Sequence, residues 1–154
     1  MIDRHEIPRI KVFVDSPMAV EVTGVFERHP ELFDEEMKKL LRQQKSPFDF
    51  PCLNLVGTVD ESKAINHMDG SVIIIAGSGM CTGGRIKHHL VNNISREEST
   101  ILFVGYQAAG TLGRQIVNGA KRVRMLGQYY PVRAQIAQLN GFSAHADRDG
   151  LIRW

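Results

Sequence analysis

Apolar positions recur along this chain in short runs separated by polar turns, and the spacing within each run predicts the element it forms. Residues 10–14 are mostly β-branched or aromatic and stop at Asp15-Ser16-Pro17, a turn whose proline suits the first turn of a following helix. Helices are expected over 19–28 and 32–44, the second entered after His29-Pro30 and carrying Leu32, Met37, Leu40 and Leu41 at near-helical spacing. The pattern continues with a strand at 53–56, a short helix at 61–68, a buried strand at 71–76 and a helix at 84–94. A strand at 100–105, a helix at 112–118, strands at 122–126 and 132–137 and a helix start at 147–154 complete the map. Strands that alternate with helices and are apolar on both faces predict an α/β fold, a mainly parallel sheet flanked by helices. No internal repeat, low-complexity segment or long linker interrupts it, so one compact unit is expected.

Composition narrows the class. With 154 residues, the chain can bury about two-thirds of its unfolded surface around one core. Its longest apolar run, Val72-Ile73-Ile74-Ile75-Ala76, is far short of the ~20 residues that cross a bilayer. The start, Met1-Ile2-Asp3-Arg4-His5-Glu6, has none of the features of a signal peptide. A cytoplasmic protein without a membrane partner is therefore expected. Cys52 and Cys81 are the only cysteines, too few for a disulfide framework or a four-ligand zinc site. The formal charge of +2 is mild, but its distribution is uneven. Acidic residues concentrate between Glu21 and Glu36 and at Asp60, Glu61 and Asp69, whereas Arg114, Lys121, Arg122, Arg124 and Arg133 make a basic second half. Such a bias is either a positive face or ordinary solvated charge.

Two turns carry the chemistry. Gly77-Ser78-Gly79-Met80-Cys81-Thr82-Gly83-Gly84-Arg85 lies where a buried strand ends and a helix begins, the place where open α/β sheets bind ligands. Glycines admit a ligand close to the backbone, and the N–H groups of a helix start, aided by Arg85, suit a phosphate. The alternative is a tight turn with a solvent-facing arginine. The run is not a P-loop, because Gly84 is followed by Arg85-Ile86 rather than by lysine and a hydroxyl residue. Nor is it a dinucleotide fingerprint, since Thr82 stands at the third glycine position.

The second turn, Gly105-Tyr106-Gln107-Ala108-Ala109-Gly110-Thr111-Leu112-Gly113-Arg114, repeats the strand-to-helix placement. If the two preceding strands are neighbours, Arg85 and Arg114 face one crevice with Thr82 and Thr111 as neutral donors, an arrangement suited to a polyanionic chain. Helix capping by Thr111 beside a surface Arg114 is the plainer reading. Near the end, Phe142-Ser143-Ala144-His145-Ala146-Asp147 combines a hydroxyl, an imidazole and a carboxylate. Histidine can move protons near neutral pH. One His-x-Asp is nonetheless a weak metal motif, and Asp147 has structural work as the cap of the last helix. His88 and His89 point to different sides of their helix, and Tyr106, Tyr129 and Tyr130 show no ordered spacing, so packing is the preferred reading for these.

Taken in order, Val12-Phe13-Val14-Asp15-Ser16-Pro17-Met18-Ala19, the 77–85 turn with His88-His89-Leu90, Val104-Gly105-Tyr106-Gln107 with Gly110-Thr111-Leu112-Gly113-Arg114, and Gly141–Asp147 resemble the β-CASP subfamily of metallo-β-lactamase-fold ribonucleases. The resemblance covers almost the whole chain. It implies a Rossmann-like three-layer β-CASP domain over 1–137 and, over 138–154, a segment leading back toward a metallo-β-lactamase domain of the same parent chain. It further implies that His145 is the motif B histidine near the scissile phosphate, with a hydrogen-bonding or general-acid role. Ser143 would help hold that phosphate. Gly79, Thr82, Gly83, Gly84, Arg85, Thr111 and Arg114 would line the RNA path, and Asp15 and Ser16 would border the cleft.

Departures from the family pattern are equally informative. No His-x-His-x-Asp-His sequence occurs, and neither the acidic motif A nor a motif C histidine is found. No metal ligand or cofactor is therefore assigned to this chain. Two zinc ions are expected only in an intact parent, and the chain is expected to be a fragment inactive alone. The expected function is nucleic-acid binding for a zinc-dependent ribonuclease. Single-stranded RNA is the expected ligand, DNA remains open, and a homodimer of the parent is compatible with it. The alternatives are a small-nucleotide-binding module and a non-catalytic scaffold subunit of an RNA-processing complex.

Overall fold

The first strand, β1 (Lys11–Val14), apolar at Val12, Phe13 and Val14, is the centre of a three-stranded sheet. The computed structural model describes residues 6–43, 48, 50–142 and 146–154. In it β1 pairs in parallel with β2 (Leu53–Leu55) and β3 (Val72–Ile75). Ser16 and Pro17 turn the chain into α1 (Pro17–Arg28), where the Ala19 N–H donates to Ser16 Oγ at 3.4 Å. Helix α2 (Glu35–Arg42) starts later than the sequence pattern suggested. Asp34 caps it by accepting from the Met37 N–H at 2.8 Å, and Leu32 closes a separate 3-10 turn. A reciprocal Thr58–Glu61 capping box starts α3 (Val59–Ile65). Phe13, Val56 and Ile65 form the core of this part, with Val72 and Ile74 packed against it.

Beyond Gly77 come α4 (Ile86–Asn93), β4 (Thr100–Val104), α5 (Leu112–Val117), β5 (Arg122–Met125), β6 (Gln128–Pro131), β7 (Gln135–Leu139) and α6 (Arg148–Arg153). Strand β4 pairs in parallel with β7 over five residue pairs, while β5 and β6 form an antiparallel hairpin. The core here comprises Cys81, Leu90, Ile94, Phe103, Ile116, Val123 and Met125.

Helices flank parallel ladders, as expected. Two expectations need correction. The single compact unit is replaced by two, residues 1–77 and 78–154, because every ladder among the described residues joins strands of the same half. The strand expected at 132–137 starts later, as β7 from Gln135, and β6 at 128–131 is a strand that the pattern did not mark. The hairpin loop, Leu126-Gly127, has positive φ at both residues (47° and 84°), a type I′-like arrangement that glycine favours and leucine does not. A leucine there gave no turn signal.

Candidate functional site

The two glycine-bearing turns meet inside the 78–154 unit, although β3 and β4, the strands that precede them, belong to separate sheets. Contact between them is made by backbone and by the Met80 side chain. The Gly113 N–H donates to the Met80 carbonyl at 2.9 Å, and the Ala108 N–H donates to Met80 Sδ at 3.0 Å. Gly113 is what permits this approach. A Cβ added there would stand 3.0 Å from the Gly79 carbonyl oxygen, 3.3 Å from the Met80 carbonyl carbon and 3.0 Å from Gln107 Cγ. The Cys81 N–H donates to the Ser78 carbonyl at 3.0 Å and tightens the first turn, and Cys81 takes a left-handed φ of 56°.

Gln107 organises the second turn. Only 1% of it is exposed. Its Nε2 donates to the Gly105 carbonyl at 3.1 Å, and its Oε1 accepts from Gln138 Nε2 at 3.3 Å, which ties the turn to β7. Its own carbonyl accepts from Arg114 Nε at 2.8 Å. The Arg114 guanidinium also lies 5.2 Å from the centre of the Tyr106 ring, and that tyrosine is 68% exposed. Arg114 is thus a half-buried residue anchored to its own turn rather than a loose surface charge. Thr111 caps α5 by accepting from the Arg114 N–H at 3.2 Å while its hydroxyl donates to the Ala108 carbonyl at 2.7 Å.

In the first turn, Thr82 is exposed and Arg85 is half-buried at the start of α4, where its side chain makes no capping bond. Gly84 has φ +77°, so its glycine answers a backbone need. Gly79 and Gly83 differ. Neither has positive φ, and a Cβ on either would meet nothing within 4 Å. Nothing inside the fold requires glycine at these two positions, and both leave open space beside the backbone.

Asp15 and Ser16 lie in the other unit and have structural employment. Asp15 is fully buried and accepts from Ser62 Oγ at 2.5 Å, while Ser16 caps α1. Ser143 and His145 lie outside the described residues. Asp147 caps α6, accepting from the Gly150 N–H at 2.7 Å. His88 is exposed and His89 buried, as their adjacent helical positions require. Sequence reasoning overlooked Met80, Gln107 and Gly113 as organisers. Gln107 alone left a signal, a polar residue placed directly after an apolar strand.

Residues 1–116 match the model of the Beta-Casp domain. This chain belongs to the Beta-Casp domain family. Residues 129–154 also match the model described as a Zn-dependent metallo-hydrolase RNA specificity domain. Among curated relatives, the ribonuclease TTHA0252 of Thermus thermophilus is 41% identical over 150 residues, covering 97% of this chain and 35% of the relative. The transcription termination factor FttA of Methanocaldococcus jannaschii is 34% identical over 149 residues, covering 93% and 23%. FttA of Methanosarcina mazei is 31% identical over 154 residues, covering 96% and 24%. The chain therefore spans about a third of the first relative and about a quarter of the other two. The β-CASP resemblance carried by the four ordered motifs is borne out.

Zinc, which the second family description implies, does not fit the described residues. Among them no group of three or more His, Cys, Asp or Glu side chains stands together, and a zinc site needs at least three converging ligands.

Proposed function

We propose that this β-CASP chain is the RNA-holding part of a zinc-dependent ribonuclease and that it does not cleave RNA by itself. The observation that carries the reading is the lock between the 78–85 and 105–114 turns, made by the Met80 carbonyl and thioether with the Gly113 and Ala108 N–H groups. The lock sets Arg114, Tyr106 and the open backbone at Gly79 and Gly83 on one unit of the chain. Fixed donors, a cation and an exposed ring suit a phosphodiester chain with unstacked bases better than a lone phosphate. The names of the relatives, a ribonuclease and termination factors, support RNA as that chain.

Hydrolysis requires an activated water and a stabilised leaving oxygen, and metal ions supply both in two-metal sites. This chain contributes the other half of the task, orienting the backbone to be cut. His145 would serve the scissile phosphate as hydrogen-bond donor or proton source, and Ser143 would help hold it, once the metallo-β-lactamase domain of the parent is in place. The division into a β-CASP body over 1–137 and a returning segment over 138–154 belongs to the same proposal.

Fluorescence anisotropy with a 5′-labelled single-stranded RNA tests this on the 154-residue chain. Binding should be weak and salt-sensitive, and Arg85→Ala should lower the log–log salt slope by about 0.7, the share of one phosphate contact on a single strand. Absence of RNA binding at low salt, with tight binding of a mononucleotide instead, would replace this reading by a nucleotide-binding module.

A further inference from the structure

From Ser99 to Ala146 the chain contains no Asp or Glu, and the five cations there include Lys121, Arg122, Arg124 and Arg133 in and around the β5–β6 hairpin. The hairpin sorts its side chains by face. Val123 and Met125 are buried in the core of the 78–154 unit, and Tyr130, registered opposite Val123, packs against that core. The opposite face carries Arg122, Arg124 and Tyr129, all exposed, with Arg124 registered directly across from Tyr129. The Arg122 guanidinium lies 5.2 Å from the Tyr129 ring centre, and that tyrosine is 62% exposed.

Among the described residues, no carboxylate pairs with Lys121, Arg122, Arg124 or Arg133. The face is also held firmly. The Val132 N–H donates to the Lys121 carbonyl at 2.9 Å, the Arg133 N–H to the Ile94 carbonyl at 2.9 Å, and Ser95 Oγ to the Pro131 carbonyl at 2.9 Å.

Charges, lysine above all, also discourage edge-to-edge pairing of strands, but that purpose calls for no aromatic ring among them. Here every charge is positive, and an exposed aromatic ring lies among them. Cations neutralise phosphates whatever the sequence, and an aromatic ring stacks on any base. Arginine over one face of Tyr129 holds the ring in place for a base on the other. We infer that the outer face of the β5–β6 hairpin, formed by Arg122, Arg124 and Tyr129, is a second contact surface for single-stranded nucleic acid, separate in composition from the glycine turns. This inference rests on the reading that the chain holds RNA.

The test uses the 154-residue chain and a single-stranded RNA carrying 4-thiouridine. After irradiation and trypsin digestion, the peptide 125–133 should carry nucleotide. The double substitution Arg122→Gln with Arg124→Gln should lower the log–log salt slope of binding by about 1.4, the share of two phosphates. Tyr129→Ala should weaken binding about fivefold or more with the slope unchanged. All three side chains point outward, and an unchanged thermal midpoint by circular dichroism shows that the variants fold.

Wild-type affinity and slope in the hairpin variants, alongside weakened binding by Arg85→Ala, would overturn this inference and leave the turn reading intact. Poly-L-glutamate shielding Arg122 and Arg124 from arginine modification where RNA does not would assign the face to an acidic protein and overturn it as well. No RNA binding by the unmodified chain would remove both readings.

Discussion

Cys81 stands in a glycine-rich turn, a position that does not announce burial. It is only 2% exposed, and burial pushes its thiol from the ordinary 9.0 up to about 11. The folded chain keeps a proton that the unfolded chain loses above pH 9. The stability this contributes is complete below pH 9 and is lost as the pH rises toward 11. Alkylation at pH 8 should label Cys52, which is half-buried, while Cys81 reacts only after denaturant is added. Equal labelling rates in the native protein would contradict the buried site.

Asp15 makes the complementary point. As the residue after a strand and two before a proline it reads as a cleft residue or, nearly as well, as a turn, and only the fold reveals Ser62 donating to its buried carboxylate across 47 positions of sequence. Ser62→Ala should destabilise the chain by about 1–3 kcal/mol, measured by urea unfolding, because a buried carboxylate loses a donor. RNA affinity under native conditions should be unchanged. By contrast, the caps at Thr111 and Asp147 were legible from residue type and position alone, since capping is a local interaction.

Among the elements, the strands and helices that the hydrophobic period marked were found, and the misses have local causes. Helix α2 starts at Glu35 because Asp34 outcompetes the apolar spacing that began at Leu32. The β5–β6 hairpin escaped notice because its turn places Leu126 at a position that asparagine or glycine usually announces. A meeting of the two glycine turns was tied in the sequence to one condition, that β3 and β4 be neighbours; they are not, and Gly113 and Met80 join the turns directly. Gly113→Ala should therefore cost about 1–3 kcal/mol, since its Cβ would press on backbone atoms that cannot step aside. It should weaken RNA binding more than Gly110→Ala, whose strain comes from its own φ of +80° and not from contact with the other turn. Equal effects of the two substitutions would show that the lock is not what shapes the surface.

For the whole molecule, the α/β class and the parallel pairing were readable because buried strands alternate with helices. The division at Gly77 was not, since which strands pair is a property of distant segments that no local pattern encodes. Charge divides the chain in a related way. The cations of the second half lie in the unit that also contains both glycine turns, and the acidic stretches lie in the other. The central claim is that residues 78–85 and 105–114 form one RNA-holding surface. A titration of the 15N-labelled chain with single-stranded RNA, followed amide by amide in NMR spectra, addresses it most directly. The account predicts that the amides of Gly79, Gly83, Tyr106 and Gly110 shift together and fit one dissociation constant. Shifts confined to one turn, or two turns titrating with different constants, would contradict it.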